Sequence, residues 1–307
     1  MTWSGARFVT VQAGTAPVAN GAALLGAYAT AKTMSPTAGA PVTVIVPPGN
    51  YDLGTGALTL DTPWINLAGL TTARETQHIY GATSGANTGV LMQTADQVLI
   101  ENLTVECTLA TGTLAGNGTD PAAYWPDVAW NSGANRGSPP NTTIRNCQFM
   151  SDDTHGLSMR RNIDYAGTYD RCKGGFAAFG THGTASGTFT DCTGGNDAFG
   201  GNLGTASGTF SNCTGGYYAF GGGGRAIGTF TDCTGGNAAF GGDGNTASGT
   251  FTGCTGGDAA FGGQGGTAPG GKFYHCVGGA FSFTESGSPT PVQYWCIQNG
   301  VPYPDNN

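Results

Sequence analysis

Carboxylates, a histidine and two arginines lie together in one short segment of the chain. Ser151-Asp152-Asp153-Thr154-His155-Gly156 is followed closely by Arg160-Arg161. Asp152, Asp153 and His155 have the side chains that provide the acid and base of glycoside cleavage, if the carboxyl groups are suitably spaced. Neighbouring aspartates on a strand point to opposite faces, and the same residues suit a turn paired with the arginines. A turn, a ligand contact and a catalytic pair are the open hypotheses, and the turn is favoured.

Three large aromatic residues precede this segment. Residues 108–141 look like a long insertion, and a loop of such length in a compact fold is usually functional or disordered. It contains Tyr124, Trp125 and Trp130. These rings either stack on the apolar faces of sugars or hold the loop against the protein body, and the second interpretation is favoured. Together with Arg160 and Arg161, they are the candidate carbohydrate-binding residues.

A tandem repeat specifies the elements that must position these side chains. Phenylalanines recur 21, 20, 21 and 22 residues apart, each is followed three places later by a cysteine, and a second aromatic series keeps a similar step. Such self-similarity predicts a solenoid in which each turn contacts its neighbours. The three series are Phe189, Phe210, Phe230, Phe251 and Phe273; Cys192, Cys213, Cys233, Cys254 and Cys276; and Phe179, Phe199, Phe220, Phe240 and Phe261.

Strand alternation within the repeat predicts which side chains face inward. In Thr188-Phe189-Thr190, burying the ring is worth roughly 1.5–3 kcal/mol, so we expect phenylalanine inside and threonine outside. The cysteine lies three residues after the phenylalanine, so in a continuous strand it would face outward. It faces inward only if the chain turns just before it. The preceding residue is usually one that tolerates a left-handed backbone, Arg171 being the exception. These residues are Asn146, Asp191, Asn212, Asp232, Gly253 and His275.

The pattern predicts an all-β fold, a single-stranded right-handed parallel β-helix. We expect about ten coils of roughly 20–22 residues, a short A-F-G-G strand in each repeat, and a short N-terminal capping helix. Asn20 is the expected N-cap of a helix from about residue 22 to residue 32. The expected domains are an N-terminal cap (1–80), a β-helix with its 108–141 insertion (81–280), and a C-terminal cap or tail (281–307). Tyr294-Trp295-Cys296 is expected to close the last coil.

Outward threonines would form two columns of hydroxyls on consecutive coils, a surface of the kind found in ice-binding β-solenoids. Neighbouring members of a column are expected about 4.8 Å apart. Threonine is also simply a good residue for exposed strands, which is the favoured explanation. The columns contain Thr188, Thr190, Thr209, Ser211, Thr229, Thr231, Thr250 and Thr252.

The nine cysteines follow the repeat spacing rather than a disulfide or zinc pattern. Since a thiol packs as a small hydrophobe, a buried column of thiols is favoured over some disulfides. We expect no metal and no cofactor.

Composition excludes several classes of function. A formal charge of −8 with only 11 Lys and Arg disfavours nucleic-acid binding. No apolar stretch is long enough for a transmembrane helix, and the first residues lack the pattern of a signal peptide. A location in a virion or outside the cell, reached without a signal peptide, is the expectation.

Three segments carry a resemblance to a known superfamily: residues 20–32 (NGAALLGAYATAK), 42–53 (VTVIVPPGNYDL) and 142–149 (TTIRNCQF). They resemble pectin-lyase-like β-helix proteins, which include pectate lyases, polygalacturonases and bacteriophage tailspike and fibre proteins. Polygalacturonase-like members carry their catalytic motifs on successive coils. Here Asp152-Asp153 and His155-Gly156 are crowded into one turn, so the resemblance implies the fold and not the catalysis.

The leading hypothesis is a non-enzymatic β-helix of virion type, a tailspike, fibre or decoration protein with a carbohydrate-adhesive surface. Its expected partners are surface polysaccharide or other virion proteins. Phage members commonly form homotrimers, but this sequence fixes no oligomeric state. The alternatives are a polysaccharide lyase or glycoside hydrolase and, less favoured, an ice-binding protein.

Overall fold

The computed structural model describes residues 7–82, 88–108, 122–126, 128–129, 136–138, 141–151, 157–159, 163–242, 244–263, 265–283 and 291–302. The chain divides into two compact units. The first contains Met1–Arg160 and Arg171–Lys173, and the second contains Arg161–Asp170 and Gly174–Asn307.

The first unit consists of three parallel sheets with a helix, Pro17–Thr33, packed against its first strands. A 3-10 helix spans Arg74–Thr76, and Val128–Ala129 pairs antiparallel with Arg136–Ser138. The first sheet contains Arg7–Thr10, Val42–Val46, Ile65–Gly69, Leu99–Glu101 and Thr143–Arg145; the second contains Leu58–Leu60, Gly89–Gln93, Ala122–Pro126 and Leu157–Met159; the third contains Gly49–Asp52, Gln77–Gly81, Thr104–Cys107, Gln148–Ser151 and Lys173–Gly174.

The second unit repeats one coil with very short strands. Its main sheet contains Thr168–Asp170, Thr188–Thr190, Thr209–Ser211, Thr229–Thr231, Thr250–Thr252, Lys272–Tyr274 and Val292–Tyr294; a second sheet contains Asp164–Tyr165, Thr184–Ala185, Thr205–Ala206, Arg225–Ala226 and Thr246–Ala247; a third contains Val277–Gly278, Ile297–Gln298 and Val301–Pro302. The main sheet is parallel with each phenylalanine opposite the next. This pairing confirms the predicted right-handed parallel β-helix.

Two stacks of aromatic rings form the core of the second unit. Within each stack, neighbouring ring centroids lie 4.7–5.0 Å apart with nearly parallel planes, while contacts between stacks are edge-to-face at 5.7–6.0 Å. The spacing along a stack is the spacing of hydrogen-bonded strands, because each ring is carried by one coil. One stack contains Tyr169, Phe189, Phe210, Phe230, Phe251 and Phe273; the other contains Phe179, Phe199, Phe220, Phe240, Phe261 and Phe283.

The residue before every cysteine except Cys107 has the left-handed backbone that the sequence predicts for the repeat. Asn146, Asp191 and Asn212 have φ of 49°, 52° and 52°, and Gly253 has φ of 65°. Arg171, the expected exception, adopts the same conformation with φ of 52°. Its carbonyl oxygen accepts a hydrogen bond from Nη1 of Arg74, a residue of the same unit, at 2.7 Å.

All nine cysteines are buried thiols, which confirms the thiol interpretation. In the second unit, Cys213 donates to the carbonyl oxygen of Phe189 at 3.4 Å, and Cys254 donates to that of Phe230 at 3.5 Å. In the first unit, burial raises the pKa of the Cys147 thiol well above its usual value. The Cys147 thiol therefore packs as a neutral side chain beside the backbone.

Three local expectations need correction. The helix begins at Pro17 after Ala16, and Asn20 is not its N-cap but a buried residue within it, bonded to Gly14 and Asn50. Proline suits the first turn of a helix because it has no N–H to satisfy there.

The A-F-G-G segment of the repeat, expected to be a short strand, is mainly a turn, since Phe179, Phe199 and Phe220 have φ of 51–53°.

The expected 108–141 insertion also contains a core strand. Ala122–Pro126 pairs in parallel with Gly89–Gln93 and with Leu157–Met159. All five of its residues are buried, as expected for a strand with sheet neighbours on both sides. Coil strands also begin before residue 81, because Val42–Val46 and Ile65–Gly69 already pair in register.

Candidate carbohydrate-binding surfaces

The predicted site residues fall into three groups. Asp152, Asp153, His155, Arg160, Arg161 and Trp130 lie outside the described residues. The threonine columns are described and lie on the outer flank of the second unit. Tyr124 and Trp125 are described and buried.

Burial corrects the sugar-stacking hypothesis for Tyr124 and Trp125. Both side chains are 0% exposed. The Tyr124 hydroxyl lies 2.5 Å from Oε1 of Gln93 and 3.0 Å from Oγ of Ser138, and burial raises the pKa of this phenol. These two rings pack the interior because their strand is paired on both sides, so they present no face to a ligand.

The threonine columns have the predicted orientation. Thr188, Thr209, Thr229 and Thr250 are in direct register, as are Thr190, Ser211, Thr231 and Thr252. All eight keep contact with solvent, while the phenylalanine between each pair is 0% exposed. A third exposed column, which the sequence analysis does not predict, follows the cysteines: Thr193, Thr214, Thr234 and Thr255.

Between these columns lie polar corner residues, which are the left-handed residues directly before the cysteines. Asp191, Asn212 and Asp232 are exposed, and Asn212 donates to Oδ1 of Asp191 at 2.6 Å. The flank thus carries hydroxyl, carboxylate and amide groups at the repeat distance of the coils. Such a surface can form hydrogen bonds with a polar ligand but offers no apolar platform to it.

Aromatic residues replace these polar positions in the last two coils. Tyr274 and Tyr294 lie opposite each other in register with Thr252, and His275 and Trp295 occupy the corner positions. We call Tyr274, His275, Tyr294 and Trp295 the end patch. The rings of Tyr294 and Trp295 are stacked, with centroids 5.6 Å apart and planes at 18°, and His275 meets Trp295 edge-on at 5.6 Å.

Trp295 occupies an unusual position for so large a side chain. It is 63% exposed and has φ of 53°. A left-handed conformation disfavours bulky residues, and such strain is concentrated at functional sites. The sequence signal was the appearance of tyrosine, histidine and tryptophan where earlier repeats carry Thr, Asn, Asp or Gly.

The end patch consists of three large aromatic rings and one imidazole. Among the described residues, no three or more His, Cys, Asp or Glu side chains are placed to hold a metal ion. In the same ranges no helix is long and apolar enough to cross a membrane. Stacked rings beside hydroxyl columns are suited to binding a ligand that has both apolar faces and hydroxyl groups.

Comparison with known proteins supplies structural neighbours alone. No protein-family model and no curated protein matches the chain. The A-module of a mannuronan C-5 epimerase from Azotobacter vinelandii is similar, with a TM-score of 0.47, 12% identity and coverage of 96% of each chain. Pectin methylesterase from Erwinia chrysanthemi has a TM-score of 0.38 and 12% identity over 99% of this chain and 92% of its own.

A third neighbour is the pectin methyl esterase of the rice weevil. Its TM-score is 0.41 at 14% identity, over 99% of this chain and 83% of its own. With scores and identities this low, the fold assignment rests on the strand pairing described above, and no activity is transferred.

Proposed function

We propose that this protein is a non-enzymatic β-helix that binds carbohydrate on the outer flank of its second unit. The observation that carries the proposal is the Tyr294–Trp295 stack, exposed at a left-handed corner where the hydroxyl columns end. Sugars have apolar C–H faces that pack on aromatic rings, and their hydroxyls bond to polar neighbours. The earlier, narrower hypothesis of a tailspike, fibre or decoration protein of a virion is part of this proposal.

Substitution of Trp295 tests the proposal directly. We expect Trp295→Ala to weaken the binding of a glycan that the wild-type protein binds by about tenfold, or about 1.4 kcal/mol. The reason is that the substitution removes the exposed ring on which the sugar would stack. The measurement is a glycan array followed by titration calorimetry on the full chain. Phe281→Ala is the matched control, because Phe281 is 69% exposed and also has a left-handed backbone, with φ of 54°, but lies outside the end patch.

Three results would contradict this function. Equal loss of binding in the Phe281 and Trp295 variants would exclude the end patch as the specific site. Release of reducing ends or unsaturated sugars from polysaccharide, abolished by Asp153→Ala, would show an enzyme instead. Thermal hysteresis that disappears in Thr190→Tyr and Thr231→Tyr would show an ice-binding protein.

The virion role has its own test. Capsid and tail genes beside the gene for this protein would support it, whereas sugar-transport genes would favour polysaccharide catabolism.

A further inference from the structure

An open groove crosses the outer face of the first sheet in the first unit. It consists of two adjoining depressions of about 260 and 300 Å³, which share Asn66 and Leu99. The amide of Leu99 donates to Oδ1 of Asn66 at 3.0 Å, so these two residues are fixed side by side on neighbouring strands. Taken together, the depressions are in the size range of small-molecule sites.

The walls of the groove combine apolar surfaces with side-chain amides. Trp64 and Leu99 line one depression, and Phe8 and Leu70, which are 56% and 60% exposed, line the other. The amides are those of Asn66, Gln97, Asn102 and Asn141. Each primary amide has both a donor and an acceptor group, which is the combination that a hydroxyl requires.

Three residues of this groove, Trp64, Gln97 and Asn102, have a left-handed backbone. Trp64 has φ of 65° and Gln97 has φ of 57°, and the N–H of Trp64 donates to the carbonyl oxygen of Gln97 at 3.2 Å. The corresponding positions on adjacent coils are thus both held in a conformation that tryptophan and glutamine rarely adopt.

The charge of the groove defines the class of its ligand. Glu101 is the one charged side chain among the described residues that line the two depressions. Its Oε2 lies 3.6 Å from Nη1 of Arg145, so its charge is already compensated. A ligand carboxylate would find no cation in the lining, and a ligand cation would compete with Arg145. A neutral ligand fits this site best.

We propose that this groove binds a short neutral oligosaccharide, at a site separate from the end patch. The choice of a saccharide rests on the proposed function, whereas the choice of a neutral one rests on the lining of the groove. The apolar walls contact the C–H faces of the sugar, and the asparagine and glutamine amides bond to its hydroxyls.

The test compares neutral and acidic oligosaccharides of matched length on the full chain. The neutral probes are cello-, malto-, xylo- and N-acetylchito-oligosaccharides, and the acidic probes are oligogalacturonate and oligomannuronate. Binding is measured by saturation-transfer NMR and titration calorimetry. We expect at least one neutral series to bind the wild-type protein. Its affinity should fall at least tenfold in Trp64→Gly and stay unchanged in the control variant Phe281→Ala.

Two variants keep the result interpretable. Glycine readily adopts the backbone of Trp64, so Trp64→Gly removes the wall without backbone strain. Asn66→Asp keeps the acceptor for the Leu99 amide and removes the donor group, and it should also weaken binding of the neutral probe. Circular dichroism and thermal melting check that both variants are folded.

The outcomes separate this inference from the proposed function. Neutral binding that is lost in Trp295→Ala but kept in both groove variants overturns the groove and supports the end patch. Acidic probes that bind wild type and are lost in Trp64→Gly overturn the neutral class. Absence of binding to any of the probes and to the glycan array overturns both proposals.

Discussion

At the scale of single residues, the decisive property is tolerance of a left-handed backbone. Successive coils place Ala177, Asp197, Tyr218, Ala238, Ala259 and Phe281 at a second set of such corners, with φ of 52–60°. Only small or locally hydrogen-bonding residues adopt this conformation cheaply. Phe281 has the same backbone conformation and a similar exposure, so Trp295 is distinguished by the stacking of its ring on Tyr294 and not by its conformation.

Asp197 provides a prediction about pH. It is half-buried at its corner, and burial raises the pKa of its carboxyl group above the usual value. Its effect on stability is most favourable below the unfolded-state pKa, and stability is lost as the pH rises through the higher folded-state pKa. Asp197→Asn should therefore raise the melting temperature at pH 7 and leave it nearly unchanged at pH 3.

Thermal melts across this pH range provide the measurement. Asp232→Asn, at an exposed corner with φ of 52°, controls for the backbone preference of asparagine. An equal gain at both pH values in Asp197→Asn would mean that the carboxylate is not the cause.

At the scale of elements, the ring stacks rather than the short strands hold the coils together. The strands of the main sheet in the second unit have only three residues each. Each buried ring contacts rings of the coils before and after it as well as the other stack. A solenoid is stabilised by contacts between neighbouring coils. Removal of one ring therefore weakens the contacts of its coil with both the preceding and the following coil.

Phe230 and its strand neighbour Thr229 test this view. Phe230→Ala should reduce the free energy of unfolding by about 3–5 kcal/mol, since it leaves a cavity in a filled core. Thr229→Ala, on the exposed side of the same strand, should change it by less than about 0.5 kcal/mol. Urea denaturation followed by circular dichroism gives both values. Similar losses in the two variants would show that the stack does not dominate.

At the scale of the whole molecule, the thiols report on the integrity of the fold. All nine cysteines are buried, and the most exposed of them are only 1% accessible. Alkylating reagents attack the thiolate, and burial in apolar surroundings disfavours that form.

We therefore expect iodoacetamide to label none of the nine thiols in the native protein and all nine in urea. Mass spectrometry of the intact chain counts the labels. Rapid labelling of several thiols without denaturant would contradict the inward-facing column, and incomplete labelling in urea would indicate disulfides.

The distribution of charge also belongs to this scale. The chain is acidic overall, and the exposed corners of the second unit add carboxylates beside the hydroxyl columns. This favours polar, uncharged partners over polyanions. The neutral ligand inferred for the groove of the first unit agrees with that tendency.

The sequence by itself determined the coil, its inward rings and thiols, and the left-handed residues before the cysteines of the repeat. These features depend on strand alternation, on the spacing of Phe189 and its equivalents, and on the backbone preference of residues such as Asn212, all of which are local. The tandem repeat makes these features recognisable in the sequence, because each coil contacts its neighbours in the same way.

Only the tertiary structure decided which aromatic residues outside the repeat are buried. Tyr124 and Trp125 are interior because their strand pairs with Gly89–Gln93 and Leu157–Met159, and no local pattern specifies those partners. The groove likewise depends on Phe8, Trp64 and Leu99, which are distant in sequence and adjacent only across the sheet. Burial and groove shape arise from pairing between remote segments, so composition and spacing alone do not reveal them.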